Sequence, residues 1–134
     1  MKTLVMKTKF TSFLAGSLVL LSTVVAQSGI DEVIGALRSG NSTELSKYFD
    51  ENIEITLPDK SDSYSKAQAQ LIVKDFFKNN GVKGFELKHK GDAPDGHYCI
   101  GTLQTNAGSF RTHVLMKTKS GKEVVREIRF QAIE

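Results

Sequence analysis

The sequence has a single cysteine, Cys99, no tryptophan and only two prolines among its 134 residues. One cysteine cannot form an intramolecular disulfide, which excludes a small scaffold held together by disulfides. The chain is long enough to bury a hydrophobic core without such a crosslink. Cys99 lies between Tyr98 and Ile100 in a strand-like run, a setting that favours a small buried side chain over a reactive thiol.

Catalytic and metal-binding motifs are missing as well. The sequence has no glycine-rich phosphate loop and no serine, cysteine or lysine in a nucleophile motif. His89, His97 and His113 stand on three different predicted strands without ligand spacing, whereas a zinc site needs three or four converging ligands. We therefore expect no metal site, no cofactor and no recognisable catalytic set.

Residues 1–26 have the pattern of a secretory signal peptide. Three lysines near the start of the chain precede an uncharged segment over residues 10–25, and the small residues Val24 and Ala26 suit cleavage before Gln27. The uncharged segment contains several serines and threonines and is short for a membrane span. The leader predicts an exported protein that is periplasmic or extracellular.

Removal of the leader changes the charge of the protein. The chain has 18 basic and 15 acidic residues, and the three lysines of the leader equal the difference. Residues 27–134 are therefore formally neutral, and their charge gives no support to nucleic-acid binding. We expect a single domain over residues 27–134, with no nucleic-acid partner and no stable membrane span after cleavage.

Three helices are predicted in the first part of this domain. An apolar stripe of helical period begins at Ile30, with Ser28 as the expected cap. A second, short helix is expected over residues 43–49. The segment Ser65-Lys66-Ala67-Gln68 matches a capping box, which opens a third helix that ends at Gly81.

Strand periodicity dominates the remainder of the chain. Alternating apolar and polar residues over 53–57 predict one strand before the third helix. After Gly81, period-two runs separated by short turns predict four strands in an antiparallel meander. Helices that come early and strands that come late indicate an α+β fold, in which the helices cover one face of a bent sheet.

The last two strands determine which side chains face the helices. Their two apolar sets are Phe110, Thr112, Val114 and Met116 on one strand, and Val124, Arg126, Ile128, Phe130 and Ala132 on the next. These sets form one continuous inner face only if the loop between the strands has an odd number of residues, so a three-residue loop at 120–122 is predicted. Arg126 then becomes an inward-pointing charge.

The outer face of the same sheet is predicted to carry an apolar patch. If the preceding hairpin also has a three-residue loop, Cys99 and Leu103 join Leu115 and Val125 on that face. Such a patch fits either scattered surface residues or a surface for homodimerisation between sheets.

The order of these elements, with the run Phe76-Phe77-Lys78-Asn79-Asn80 at the end of the third helix, resembles a nuclear transport factor 2-like domain. The leader and the segments 29–37, 45–50 and 53–55 are similar, more narrowly, to the secreted Bacteroidetes family known as domain of unknown function 4783. The resemblance covers residues 28–134 and implies a cone, in which a strongly curved antiparallel sheet wraps a long helix and leaves a cavity at its open end. This superfold includes isomerases, dehydratases, cyclases and non-catalytic binding domains, so it does not decide function.

Within such a cone Arg126 is the most informative polar residue, since a desolvated guanidinium requires an anionic partner. The partner is either a helix acid such as Asp75 or Glu32, or a ligand. A further alternative is that the apolar stem of Arg126 carries the guanidinium to solvent at the sheet edge. The candidate binding residues are Tyr48, Tyr98, Thr112, Met116 and Arg126.

The strands present no evident inward carboxylate for acid–base chemistry. We therefore favour a non-catalytic module that binds a small molecule or a protein. The alternatives are an isomerase-, cyclase- or dehydratase-like enzyme and a structural homodimer.

Overall fold

The structure is a computed structural model that describes residues 28–133, so the predicted leader lies outside the described residues. The described chain forms nine elements in the following order: α1 (Gly29–Ser39), α2 (Ser42–Ser46), β1 (Phe49–Leu57), β2 (Lys60–Ser65), α3 (Lys66–Asn80), β3 (Val82–Ala93), β4 (Gly96–Thr105), β5 (Gly108–Lys119) and β6 (Lys122–Ala132). Between residues 28 and 133, none of the helices has the length and apolar character needed to cross a membrane.

The six strands form one sheet in the order β2-β1-β6-β5-β4-β3. Each of the strands β3 to β6 pairs antiparallel with the next one along the chain, which confirms the predicted meander. Strand β1 lies parallel to β6 and pairs antiparallel with β2. We call the face of the sheet covered by the helices the inner face and the opposite one the outer face. The architecture is the predicted α+β fold.

The helix ends follow from local chemistry. The capping box at Ser65 is present, with the Ser65 hydroxyl accepting the Gln68 N–H and the Gln68 side chain accepting the Ser65 N–H. Helices α1 and α3 end at Gly40 and Gly81, which have φ of 66° and 69°. This left-handed conformation favours glycine because it has no Cβ.

Helix α2 is shorter than predicted. It covers Ser42–Ser46, and its cap is Asn41, whose side chain accepts the Glu44 N–H at 3.0 Å. Phe49, expected at the end of this helix, is the first residue of β1. An extended Phe49 is buried in the sheet, so tertiary packing overrides the local helical pattern.

The core lies between α1, α3 and the inner face. The Phe76 ring packs against Phe110 and Phe130, with ring centroids 5.1 and 4.7 Å apart, and Phe77 packs against Phe130 at 6.1 Å. Val114 and Ile128 are fully buried beside them. Side chains therefore fill the interior between the sheet and α3.

The loop between β5 and β6 differs from the prediction. Lys119 pairs with Lys122, so the loop has two residues, Ser120 and Gly121. Both have positive φ, 53° and 79°, as a type I′ hairpin turn requires. A two-residue loop alone would turn the side chains of β6 to the face opposite the predicted one. A β-bulge at Arg126 shifts the pairing by one residue, so that beyond the bulge Thr112 lies opposite Phe130 as expected.

The two-residue loop changes the predicted orientation of Arg126. Residues after the bulge, such as Ile128 and Phe130, face inward as predicted. Before the bulge the parity is reversed: Val125 is fully buried, Val124 is only half-buried, and Arg126 is exposed. Arg126 is therefore not an inward-pointing charge.

The predicted outer patch is also wrong in its membership. Thr105 pairs with Gly108, so the β4–β5 loop has two residues, and Cys99 lies opposite the inward Val114. Cys99, Leu103 and Val125 are all 0% exposed, and of the four predicted residues Leu115 alone is partly exposed on the outer face. Burial raises the pKa of the Cys99 thiol to about 12, which fits the expected small buried side chain.

Candidate functional site

The five candidate binding residues do not form one site. Tyr48 lines a groove at the N-terminal ends of α1 and α3. Met116 and Arg126 line a smaller cavity. Thr112 is fully buried and donates its hydroxyl hydrogen to the Phe110 carbonyl at 3.2 Å. Thr112 is therefore part of the core.

Tyr98 lies on the outer face rather than in the cone. It pairs with Leu115, and its ring packs against His89 and His113 at centroid distances of 5.5 and 6.3 Å. Burial, together with the nearby Arg129, lowers the pKa of His113. A neutral His113 ring therefore packs on Tyr98 over most of the physiological pH range, and this cluster has a packing role.

The groove that contains Tyr48, which we call the Tyr48 groove, is an open concavity on the surface of the described chain. Its volume is about 400 Å³. It is lined by the start of α1, the α2–β1 junction, the first residue of α3 and the start of β6, with the residues Ser28, Gly29, Glu32, Lys47, Tyr48, Phe49, Lys66, Lys122, Glu123 and Val124. Small-molecule sites commonly have volumes of about 300–1,000 Å³.

Three lysines give the Tyr48 groove its charge. Lys47 forms an exposed ion pair with Glu44 at 2.7 Å. Lys66 and Lys122 form no ion pair with any residue between 28 and 133. Burial of the Tyr48 ring, with Glu32 and Glu44 nearby, raises the pKa of its phenol. The phenol therefore remains a hydrogen-bond donor at neutral pH.

Glu123 lies at the edge of the groove, and each of its two carboxylate oxygens has a hydrogen-bonding partner. One carboxylate oxygen accepts the backbone N–H of Gly29, the first residue of α1, and the other contacts Nδ1 of His97. A Cβ on residue 29 would lie 2.6 Å from that same Glu123 oxygen, so glycine permits the close approach. Glu123 thus satisfies a free N–H at the helix start and binds β6 to α1.

This arrangement replaces the predicted capping of α1 by Ser28. Ser28 is the residue before the helix, but its side chain accepts no backbone N–H. Its hydroxyl instead donates to Asp31 at 3.0 Å, and Asp31 also accepts Lys90 Nζ at 2.8 Å. The Lys90 and Ser28 hydrogen bonds lower the pKa of Asp31, and a negative charge in this first turn stabilises the helix.

Glu123 and His97 were not predicted as inward residues, and the two-residue loops of the two hairpins are the reason. The three-residue loops predicted for the two hairpins place Glu123 and His97 on the outer side of the sheet. A bulge has no distinctive signature in this sequence. The pair Ser120-Gly121 is the one local sequence signal for a two-residue turn, since glycine readily adopts the positive φ that this turn requires.

The acids and the histidine near the groove contact one another rather than a tyrosine hydroxyl. His97 lies between Glu123 and Asp92, with Nε2 3.4 Å from an Asp92 oxygen, and it does not line the Tyr48 groove. Between residues 28 and 133, no acidic or histidine side chain forms a hydrogen bond to a tyrosine hydroxyl. General acid–base catalysis needs such a group within reach of the substrate.

The side chains that metals prefer do not converge in this part of the protein. Across residues 28–133, no three histidine, cysteine, aspartate or glutamate side chains are placed so that they could hold a metal ion.

Helices packed on one face of a curved six-stranded sheet, with β1 parallel to β6, define an α+β protein of the nuclear transport factor 2-like fold. The chain belongs to the family described as domain of unknown function (DUF4783), whose model matches residues 30–131. No curated protein matches the sequence.

Solved structures agree with this assignment. A DUF4783 family protein from Bacteroides uniformis has 31% identity and a TM-score of 0.76, with 80% of this chain and 99% of that chain covered. One from Bacteroides ovatus has 32% identity and a TM-score of 0.74, covering 77% and 94%. An NTF2-like protein of unknown function from Cytophaga hutchinsonii has 13% identity and a TM-score of 0.57, covering 82% and 95%, and is similar in fold alone.

Proposed function

We propose that this protein is an exported, non-catalytic binding domain that takes a small organic acid in the Tyr48 groove. The observation that carries the proposal is a groove of about 400 Å³ in which Lys66 and Lys122 have no ion-pair partner among residues 28–133. Cations without a protein partner favour an acidic ligand, because each ammonium group can donate to a carboxylate or phosphate.

The remaining lining supports a ligand with an apolar body. The Tyr48 ring and Val124 are half-buried and present apolar surface, and the Tyr48 hydroxyl adds a neutral donor. Glu123 is held by Gly29 and His97, so Glu32 is the one groove acid without a hydrogen-bonded partner in the described residues. The unpaired charges of the groove are thus two lysines against one glutamate, which favours an anion.

A thermal-shift panel tests the ligand class. The acids are benzoate, hexanoate and phenyl phosphate, and the matched amines are benzylamine and hexylamine. An acid at ten times its Kd is expected to stabilise the protein by about 1.4 kcal/mol, a shift of several degrees in Tm. Stabilisation by the amines instead, or by none of the acids, would rule out the proposed ligand class.

Export has its own test, which is independent of ligand binding. We expect the full chain, when produced in a Bacteroides host, to yield a product in the cell envelope or medium whose intact mass corresponds to residues 27–134. A product that keeps residues 1–26 and stays in the cytoplasm would contradict the export part of the proposal. The ligand-binding part would be unaffected.

A further inference from the structure

Arg126 is the extra residue of the β-bulge on β6 and is exposed. Met116 lies opposite Val125 and Leu115 lies opposite Glu127, so Arg126 is the extra residue without a partner on β5. Bulges commonly serve to re-aim one side chain. Here Arg126 is exposed between two residues that are buried or half-buried.

Arg126 lies at a small cavity that is separate from the Tyr48 groove. The cavity has a volume of about 170 Å³ and lies between the β3–β4 turn and the adjoining parts of β5 and β6. Besides Arg126 it is lined by Ala93, Pro94, Asp95, Leu115, Met116 and Lys117. The cavity thus combines apolar side chains with two cations and one acid.

The two cations, Arg126 and Lys117, have no ion-pair partner in the described part of the chain. Asp50 is buried near Arg126, and its Oδ1 accepts both Lys119 Nζ at 2.9 Å and the Glu51 N–H at 2.7 Å. Asp95 is the one acid in the lining, so the cavity has an excess of positive charge.

We propose that this cavity binds the carboxylate of a short aliphatic acid, with the carboxylate on the Arg126 guanidinium and the tail against Leu115 and Pro94. A guanidinium presents parallel donors that match the two oxygens of a carboxylate. Since a water molecule occupies about 30 Å³ of liquid, the cavity accommodates about six non-hydrogen atoms. This size fits an acid of four or five carbons. The same chemistry is offered by a free acid and by the C-terminal residue of a peptide.

NMR titration of the ¹⁵N-labelled protein tests this site with valerate, N-acetylvaline and the uncharged valeramide. For a ligand this small we expect a Kd of about 1 mM, with saturating shifts at the Leu115 and Lys117 amides that are fitted separately from any shift at Tyr48. Valeramide should bind at least about fivefold more weakly, because it lacks the charge. Tighter binding of N-acetylvaline than of valerate would identify a peptide C-terminus as the source, and the reverse would identify a free acid.

Variants distinguish the contribution of Arg126 to valerate binding from that of the general surface charge. Arg126→Gln should weaken valerate binding at least about fivefold, whereas Arg129→Gln, on the same strand with its arginine paired to Glu127, should leave it unchanged. Arg126 is exposed, so its replacement should preserve the dispersed spectrum of the folded protein, and Lys117→Gln gives a second loss of affinity. Equal binding of valeramide and valerate, an unchanged Kd in Arg126→Gln, or no saturable shift with either acid would overturn the proposal.

Discussion

Replacing Phe130 by alanine is expected to lower the free energy of unfolding by about 3–5 kcal/mol. Phe130 is 0% exposed and lies between the two phenylalanines of α3, with ring centroids 4.7 Å from Phe76 and 6.1 Å from Phe77. Removing the ring leaves a cavity between β6 and α3, because the strand is fixed by pairing on both sides. Urea unfolding followed by circular dichroism measures the loss.

Two further variants at the same place serve as controls. Phe130→Leu keeps most of the buried volume and should cost less than the alanine variant. Gln131→Ala, one residue along β6 and exposed, should change stability by no more than about 0.5 kcal/mol. A cost below about 1 kcal/mol for Phe130→Ala would mean that the inner face of β6 does not pack on α3.

Replacing Glu123 by alanine is expected to destabilise the protein by about 2–3 kcal/mol, because hydrogen bonds to charged groups contribute more than neutral ones. The substitution leaves the Gly29 N–H and the His97 ring without their shared carboxylate. It also removes a negative charge from the positive end of α1. Glu123→Gln keeps an acceptor oxygen for Gly29 and should lie between the wild type and the alanine variant.

The matched control is Glu127→Ala on the same strand. Glu127 is paired with Arg129 on the outer face at 2.9 Å, and a surface ion pair contributes about 0–1 kcal/mol. Thermal unfolding of the three variants under one buffer condition gives the comparison. Equal losses for Glu123→Ala and Glu127→Ala would contradict an inward Glu123 that anchors α1.

The features predicted correctly from the sequence are those encoded locally. The capping box at Ser65, the glycines at 40 and 81 and the period-two runs after Gly81 each act over a few residues. The inner face of β5 is correct for the same reason, since alternation along a strand determines its faces. The α+β fold follows from the order of these local signals.

Loop length and the bulge could not be predicted in the same way. Glycine suits both two-residue and three-residue hairpins, and a one-residue difference moves every side chain of a strand to the other face. The two-residue β4–β5 loop moved Cys99 inward and Tyr98 outward, and the two-residue β5–β6 loop placed Val125 inward instead of Arg126. These small backbone differences account for the errors in the predicted patch and in the orientation of Arg126.

The candidate site depended still more on tertiary structure. Tyr48 was predicted as a binding residue and lines the groove, but Lys66 and Lys122 have no local pattern that distinguishes them from surface lysines. They come together because Lys66 begins α3 and Lys122 begins β6, elements that are distant in sequence. Charges that converge in this way are visible only once the fold is known.

The most direct test of the proposed binding function is the Kd of phenyl phosphate for the wild type and for the double variant Lys66→Gln/Lys122→Gln, measured by calorimetry. Lys78→Gln is the control, because Lys78 is near the other end of α3, about 18 Å from Lys66 along the helix. The double variant should bind at least about tenfold more weakly, a loss of about 1.4 kcal/mol, and the Lys78 variant should bind like the wild type. The same Kd for all three proteins would contradict acid binding in the Tyr48 groove.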